Sequence, residues 1–210
     1  MRLVKYGHSC LLVEEGPARL LLDPGTLSGG FEGLEGLTAV LVTHQHADHL
    51  DLQRLCTLLD RNPGARVLCD EGSAEQLAAA GAAVEVVHDG EELDVGGVAG
   101  RGSGRDHAVI HPDIPVVPNV GYLVGGRLFH PGDAFTPPGR PVEVLAVPAG
   151  APWLKVSEPI DYLRQVRPKV AVPVHELVLS QAGKAIHYRQ LEQLGGATLR
   201  VLDDGAPVEL

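Results

Sequence analysis

The segment at residues 44–49, His-Gln-His-Ala-Asp-His, constrains this chain more than any other stretch. It directly follows an apolar run at 38–43 that has the length and β-branched content of a buried strand. The first two histidines would then project from the strand end to one side, as two ligands of one ion must. The aspartate and the third histidine follow a turn, so they could bind a second ion. We therefore predict a metal site here rather than a polar loop with solvated histidines. Its candidate ligands are His44, His46, Asp48 and His49.

Composition limits the partners that this chain can have. Its 210 residues, of which 44% are hydrophobic and 21% charged, suit one domain over 1–210 that can bury a substantial core. The 17 Lys and Arg residues against 27 Asp and Glu give a formal net charge of −10, with no Lys/Arg cluster. Nucleic acid is therefore an unfavourable partner, because its phosphates would meet long-range repulsion.

The cysteines and the apolar runs indicate the compartment. Cys10, Cys56 and Cys69 lie far apart without Cys-x-x-Cys spacing, which suits small core residues in a reducing cytosol. The opening residues lack the continuous apolar segment of a signal peptide, and no apolar run approaches the ~18 residues of a membrane span. We expect a soluble, cytoplasmic protein without membrane contact, and leave open whether it forms a homo-oligomer.

Short strands and helices interleave along the whole sequence, which is typical of a layered α/β domain rather than a helical bundle. Strands are predicted at 3–6, 9–14, 18–22, 38–43, 66–69, 83–87, 119–124, 127–130, 142–147, 169–174 and 198–202, with a meander at 92–104. Helices are predicted at 50–60, 73–80, 157–166 and 182–194.

Three of the predicted apolar strands are followed by a histidine or an aspartate, namely His44, Asp133 and His175. Open sheets commonly place their sites at the carboxyl ends of strands. A buried strand that ended in an unpaired polar side chain would carry a desolvation cost. We therefore predict that the three side chains converge on one pre-organised centre.

With these residues, the chain resembles the metallo-β-lactamase superfamily of metal-dependent hydrolases over nearly its whole length. The H-x-H-x-D-H signature lies at 44–49, and the Gly-Asp element that supplies a bridging aspartate lies at 132–133. Asp23 in Leu-Leu-Asp-Pro, the isolated His107, and His175 in Pro-Val-His also match the family's pattern.

The opening Gly7-His8-Ser9 and the compact length are most similar to the small branch that includes ascorbate-6-phosphate lactonase-like proteins. The resemblance implies an α/β fold: a four-layer αβ/βα sandwich of two mixed β-sheets flanked by helices, with the metals at one edge. One departure is Ala134, where the family often carries a threonine whose hydroxyl supports the ligands.

Carried over residue by residue, the resemblance implies seven metal ligands. His44, His46 and His107 would hold the first ion, Asp48, His49 and His175 the second, and Asp133 would bridge both. His111, four residues after His107, is an alternative ligand, but it precedes Pro112 in a proline-rich loop that is more typical of a rim. We expect His130 to have a structural role.

Four further residues are expected to support or line the site. Asp23 would accept a hydrogen bond from a ligand imidazole and fix its tautomer. His8 would contact substrate or support the ligands, and a satisfied core histidine is an equal alternative. Trp153 could wall the pocket, with Lys155 offering charge to an anionic substrate. A packed loop with a solvated lysine is the alternative for this last pair.

The sequence thus predicts a metal-dependent hydrolase. Two divalent ions, zinc by default with manganese or iron as alternatives, would share a hydroxide that attacks a small-molecule ester, lactone or phosphodiester. Asp48 could orient that hydroxide and pass its proton to the leaving group. Two other functions stay open, an iron-based redox protein on the same scaffold and a non-enzymatic metal-binding or regulatory module.

Overall fold

The computed structural model describes residues 1–210 without a break, as fourteen strands and four helices. The strands are β1 (Arg2–Lys5), β2 (Leu11–Glu15), β3 (Ala18–Leu22), β4 (Ala39–Val42), β5 (Arg66–Cys69), β6 (Glu85–Val86), β7 (Glu92–Val95), β8 (Val98–Ser103), β9 (Gly121–Val124), β10 (Leu128–His130), β11 (Val144–Pro148), β12 (Val170–Val174), β13 (Thr198–Leu199) and β14 (Pro207–Glu209). The helices are α1 (Leu52–Arg61), α2 (Glu71–Ala79), α3 (Ser157–Val166) and α4 (Gln181–Leu194). None of these helices is both long and apolar enough to cross a membrane.

The strands form two seven-stranded mixed sheets with the same plan. The first sheet has the order β14-β1-β2-β3-β4-β5-β6, and the second has the order β13-β12-β11-β10-β9-β8-β7. Strands β3 to β6 run parallel in the first sheet, as do β10 to β13 in the second. The remaining neighbours are antiparallel. The carboxyl ends of the parallel strands are where an open α/β sheet carries its site.

Alternation of apolar side chains along the strands builds the layers. In β3, Leu20 and Leu22 pack into the core between the sheets, whereas Leu21 packs on the opposite face against residues of α1 and α2. On the second sheet, Phe129 and Leu145 pack against residues of α3 and α4. The helices therefore cover the two outer faces. The predicted four-layer αβ/βα sandwich of two mixed sheets is confirmed.

The sequence did not predict β14, the strand that closes one edge of the first sheet. Its one apolar residue, Val208, gives little local signal, and its partner β1 lies at the other end of the chain. The strand predicted at 9–14 begins only at Leu11, because a turn in which the Cys10 amide donates to the Gly7 carbonyl precedes it.

Candidate metal centre

Four chain segments deliver imidazoles and carboxylates to the shared edge of the two sheets. The loop at 44–49 joins the end of β4 to α1. His175 directly follows β12, Asp133 lies three residues beyond β10, and His107 lies four residues beyond β8. All seven residues predicted as metal ligands come together in this region.

His44, His46 and His107 form the first group, and their candidate ligand atoms lie within 4.8 Å of one another. His44 Nε2 is 3.1 Å from His46 Nδ1. His107 Nδ1 lies 2.5 Å from the Ala108 carbonyl oxygen, so this nitrogen carries the proton and Nε2 keeps its lone pair. We call this group the three-histidine cluster.

His8, Asp48, His49 and His175 form the second group, with the same limit of 4.8 Å between candidate ligand atoms. Asp48 Oδ2 lies 3.3 Å from both His8 Nε2 and His175 Nε2. His175 Nδ1 donates to the Gly150 carbonyl at 2.7 Å, which leaves Nε2 directed at the carboxylates. We call this group the mixed cluster.

Asp133 lies between the two clusters. Its Oδ1 is 3.1 Å from His49 Nε2. Its Oδ2 is 3.0 Å from His175 Nε2 and 3.3 Å from His107 Nε2, and it accepts the Trp153 indole N–H at 2.9 Å. One carboxylate therefore contacts histidines of both clusters, which is the placement that a shared ligand requires.

A buried carboxylate behind the mixed cluster orients its histidine. Asp23 accepts hydrogen bonds from the amide and the hydroxyl of Thr43, each at 2.8 Å. His49 Nδ1 lies 2.7 Å from Asp23 Oδ2, so Nδ1 carries the proton and Nε2 faces Asp133. Asn119 supports the backbone of Asp133, because its Oδ1 accepts a hydrogen bond from the Asp133 amide at 3.0 Å.

Burial dominates the charge state of the three-histidine cluster. Loss of hydration holds the pKa of His44 well below its usual value, and the nearby His49 adds to this effect. Desolvation beside His107 also lowers the pKa of His46. These two imidazoles are therefore neutral at pH 7, which is the form that binds a metal ion.

Carboxylates dominate the mixed cluster. Burial opposes a charge on His175, but the carboxylates of Asp133 and Asp48 together outweigh it and raise the pKa of His175 to about 9. Burial also opposes a charge on Asp48, yet the imidazoles of His175 and His8, each 3.3 Å from Asp48 Oδ2, together with the nearby His49 outweigh it and lower the pKa of Asp48. Asp48 of this cluster and the shared Asp133, whose pKa is also held well below its usual value, are therefore ionised at neutral pH.

Several buried atoms of the centre have no hydrogen-bond partner. They are His8 Nδ1, His49 Nε2, His107 Nε2, His175 Nε2 and Asp133 Oδ1. Polar atoms are costly to bury unless something else satisfies them. Because imidazole nitrogens and carboxylate oxygens are the usual ligands of zinc and related divalent ions, the residues present fit a metal centre.

The backbone is strained at the centre. His8, Asp23 and His175 have φ angles of 47°, 47° and 60°, a left-handed conformation that is unfavourable for residues other than glycine. Gly25 permits a close approach, since a Cβ there would lie 1.9 Å from the Asp48 carbonyl oxygen. Strain of this kind persists where the surrounding structure fixes the backbone, and it is common at functional sites.

Of the predicted lining pair, the structure brings only Trp153 to the centre. Its ring centroid lies 5.9 Å from that of His107. Lys155 is exposed; its backbone amide and carbonyl both form hydrogen bonds with Glu158, and its side chain forms none. The tryptophan therefore walls the ligands, whereas the lysine offers them no direct contact.

The two other histidines weighed in the sequence lie outside both clusters. His111 is exposed, and its Nδ1 accepts the Asp113 amide at 3.1 Å. His130 is fully buried, but its Nε2 lies 3.0 Å from the Ser9 carbonyl oxygen and its Nδ1 accepts the Gly132 amide. Both nitrogens of His130 are thus already used by the backbone.

Sequence reasoning missed a buried ion pair beside the mixed cluster. Lys5 Nζ lies 2.6 Å from Glu176 Oε1 and donates to the Pro173 carbonyl at 3.2 Å, while the two charged residues are only 2% and 5% exposed. Because Glu176 follows His175, the pair ties β1 of the first sheet to the end of β12 in the second. The one available signal was a lysine within the strand predicted at 3–6, next to two apolar residues. Thr43 and Asn119, which support the ligands, were also not singled out.

Known proteins share this sequence and fold over most of their length. Residues 2–175 match the model of the Beta-lactamase superfamily domain. The chain is 49% identical to Protein Rv0786c of Mycobacterium tuberculosis over 99% of each chain. It is 29% identical to a UPF0173 metal-dependent hydrolase of Aeropyrum pernix, over 83% of this chain and 81% of that protein. Its fold is similar to that of Igni18, a metallo hydrolase from Ignicoccus hospitalis, with a TM-score of 0.77, 20% identity and coverage of 100% of this chain and 98% of the other.

Proposed function

Because the chain belongs to the metallo-β-lactamase superfamily and is a metal-dependent hydrolase of that superfamily, we propose that it works with two divalent ions. The proposed reaction is the hydrolysis of a small-molecule ester, lactone or phosphodiester. The observation that carries the proposal is the carboxylate of Asp133, which contacts histidines of both clusters.

Each cluster would hold one ion. The three-histidine cluster would bind the first ion, and Asp48, His49 and His175 would bind the second, with Asp133 as the shared ligand. Zinc is the expected metal for a ligand set dominated by imidazole. Manganese and iron are the alternatives, because carboxylates suit them as well.

Bound divalent ions supply a water nucleophile at neutral pH and positive charge for the developing oxyanion. The residues of the chain would place the reactants. The ionised Asp48 can accept a hydrogen bond from the attacking water and orient it. His8, kept neutral because burial lowers its pKa, can donate to Asp48 and hold it in position. The indole of Trp153 shields Asp133 from bulk water.

A matched pair of histidines tests the proposal. His107→Ala removes a member of the three-histidine cluster, whereas His111→Ala removes an exposed imidazole four residues away. His107→Ala should lose bound metal and the hydrolysis of a panel of esters, lactones and phosphodiesters, and His111→Ala should keep both. The measurements are elemental analysis and kcat/KM before chelation, after chelation and after metal is restored. Full activity in His107→Ala, or in the chelated wild type, would contradict the proposal.

The two other functions that the sequence allows would give different results in these samples. Stoichiometric metal without turnover on any substrate of the panel would favour a non-enzymatic module. A coloured, iron-loaded preparation with electron-dependent turnover would favour a redox protein. A cytoplasmic location stays a prediction, and nucleic acid stays an unfavourable partner because of the net charge of −10.

A further inference from the structure

We propose that the substrate is a neutral ester or lactone with an apolar acyl or alkyl portion, an inference that rests on the proposed function. Nine large apolar side chains of the protein are exposed, and six of them lie on loops that carry or touch the predicted ligands. We call these six residues the apolar rim. They are Leu27, Val109, Ile114, Val116, Leu177 and Val178, with exposed fractions from 41% to 59%.

The largest rim loop is attached to the metal centre at both ends. The His107 amide donates to the Val117 carbonyl at 3.0 Å, and the Ala108 amide donates to the Asp133 carbonyl at 2.8 Å. Val109 follows His107 by two residues, so their Cα atoms are at most about 7 Å apart. Three of the six rim residues therefore belong to a loop whose base contains two predicted ligands.

The other rim residues lie on two further loops at the same centre. Leu177 and Val178 follow His175 within three residues. Leu27 follows Thr26, whose amide donates at 2.8 Å to the carbonyl of Ala47, the residue before Asp48. Three loops that are far apart in the sequence therefore carry exposed apolar side chains, and the backbone of each loop is joined to, or hydrogen-bonded beside, a predicted ligand.

The charges of these loops argue against a substrate with a second anionic group. The segments 24–28, 108–117 and 176–179 contain no lysine or arginine. Their charged residues are Asp113 and Glu176, of which the second is buried in an ion pair. An anionic substituent that reached these three segments would thus find no lysine or arginine on them, whereas an apolar one would find surface to cover.

The size of the rim favours a small molecule over a protein partner. Six half-exposed aliphatic side chains present a patch of a few hundred Å² at most, about the size of functional patches on monomers. A stable protein interface buries about 800 Å² on each partner. The half-buried Trp153, whose ring lies 5.9 Å from that of His107, adds an apolar face at the ligands themselves.

A series of 4-nitrophenyl esters from acetate to octanoate, offered to the metal-loaded protein, tests the inference. Each methylene that the rim covers should raise kcat/KM about fourfold. An ester of matched length that ends in a carboxylate should react at least about tenfold more slowly than its methyl-ended counterpart, because the charge would be desolvated without a partner.

Paired surface variants assign the effect to the rim. The double variant Val109→Ser/Ile114→Ser should flatten the dependence of kcat/KM on chain length. The control Ile186→Ser/Leu194→Ser changes two equally exposed apolar residues of α4 and should keep that dependence. All four positions are exposed, so little change in folding stability is expected.

The outcomes separate this inference from the proposed function. No hydrolysis of any ester, lactone or phosphodiester would count against the proposed function itself. Hydrolysis with equal kcat/KM at all chain lengths, or an undiminished dependence in the rim variant, would overturn the apolar substrate alone. The apolar substrate would also be overturned if the rim variant lost self-association or vesicle binding while the dependence of its kcat/KM on chain length stayed unchanged.

Discussion

The three-histidine cluster and the mixed cluster share Asp133 but are built on different physics. The first relies on imidazoles whose charged form is disfavoured by burial, as at His44 and His46. The second relies on charge pairing, with Asp48 inside the cluster and Asp23 behind it. The three-histidine cluster is therefore shaped mainly by desolvation and the mixed cluster by carboxylates. If each cluster holds one ion, as proposed, substitutions should affect the two ions separately except at the shared residue.

Asp133→Ala should have the largest effect, because it removes the carboxylate that contacts histidines of both clusters. We expect loss of both ions and activity below detection, measured by elemental analysis and by kcat/KM on the hydrolase panel. Asp113→Ala, which removes an exposed carboxylate of the rim loop, is the control and should retain both ions. Two bound ions in Asp133→Ala would show that the clusters do not depend on a shared carboxylate.

Single-cluster variants should each remove one ion and leave the other. His46→Ala should lose the ion of the three-histidine cluster, and His175→Asn should lose the ion of the mixed cluster. Asparagine is chosen because residue 175 has a φ of 60°, which asparagine tolerates better than alanine. Metal titration by calorimetry measures the remaining stoichiometry. If either variant loses both ions, the two positions are not independent.

Glu176→Ala should destabilise the fold by about 3–5 kcal/mol, because it leaves the buried Lys5 charge unpaired. The control is Glu85→Ala, which breaks the exposed pair with Arg66 and should cost at most about 1 kcal/mol. Urea unfolding of both variants gives the comparison. Equal losses would mean that the buried pair does not tie the two sheets together beside the mixed cluster.

Asp23→Asn should have the smallest effect of the series. It keeps the size of the side chain and tolerates the φ of 47°, but it weakens the orientation of His49. Affinity for the ion of the mixed cluster should fall about 10- to 100-fold, as for other groups that hold a metal ligand in place. Competition with a chromophoric chelator measures this change. An equal fall in metal affinity at the three-histidine cluster would show that Asp23 does not act on the mixed cluster alone.

These two regions also differ in how far the sequence could predict them. His44 and His46 are adjacent in one motif after an apolar strand, so local spacing was enough to place them together. Asp133 and His175 could be expected nearby because each follows an apolar strand. His107 was implied only by the family resemblance, and the structure places it, rather than His111, in the three-histidine cluster.

What the sequence could not give is the long-range support of the mixed cluster. Lys5 and Glu176 are 171 positions apart, and their pairing depends on how the two sheets face each other. The left-handed backbone at His8 and Asp23 is likewise imposed by tertiary contacts, because neither residue type by itself demands it. Periodicity reports which face of a strand is buried, but not which distant side chain it meets.

Titration of metal-free wild-type protein with zinc, followed by calorimetry, tests the central claim most directly. Two clusters joined by one carboxylate predict that two ions bind per chain and that hydrolysis returns with them. Saturation at one ion, or no binding at all, would contradict the account.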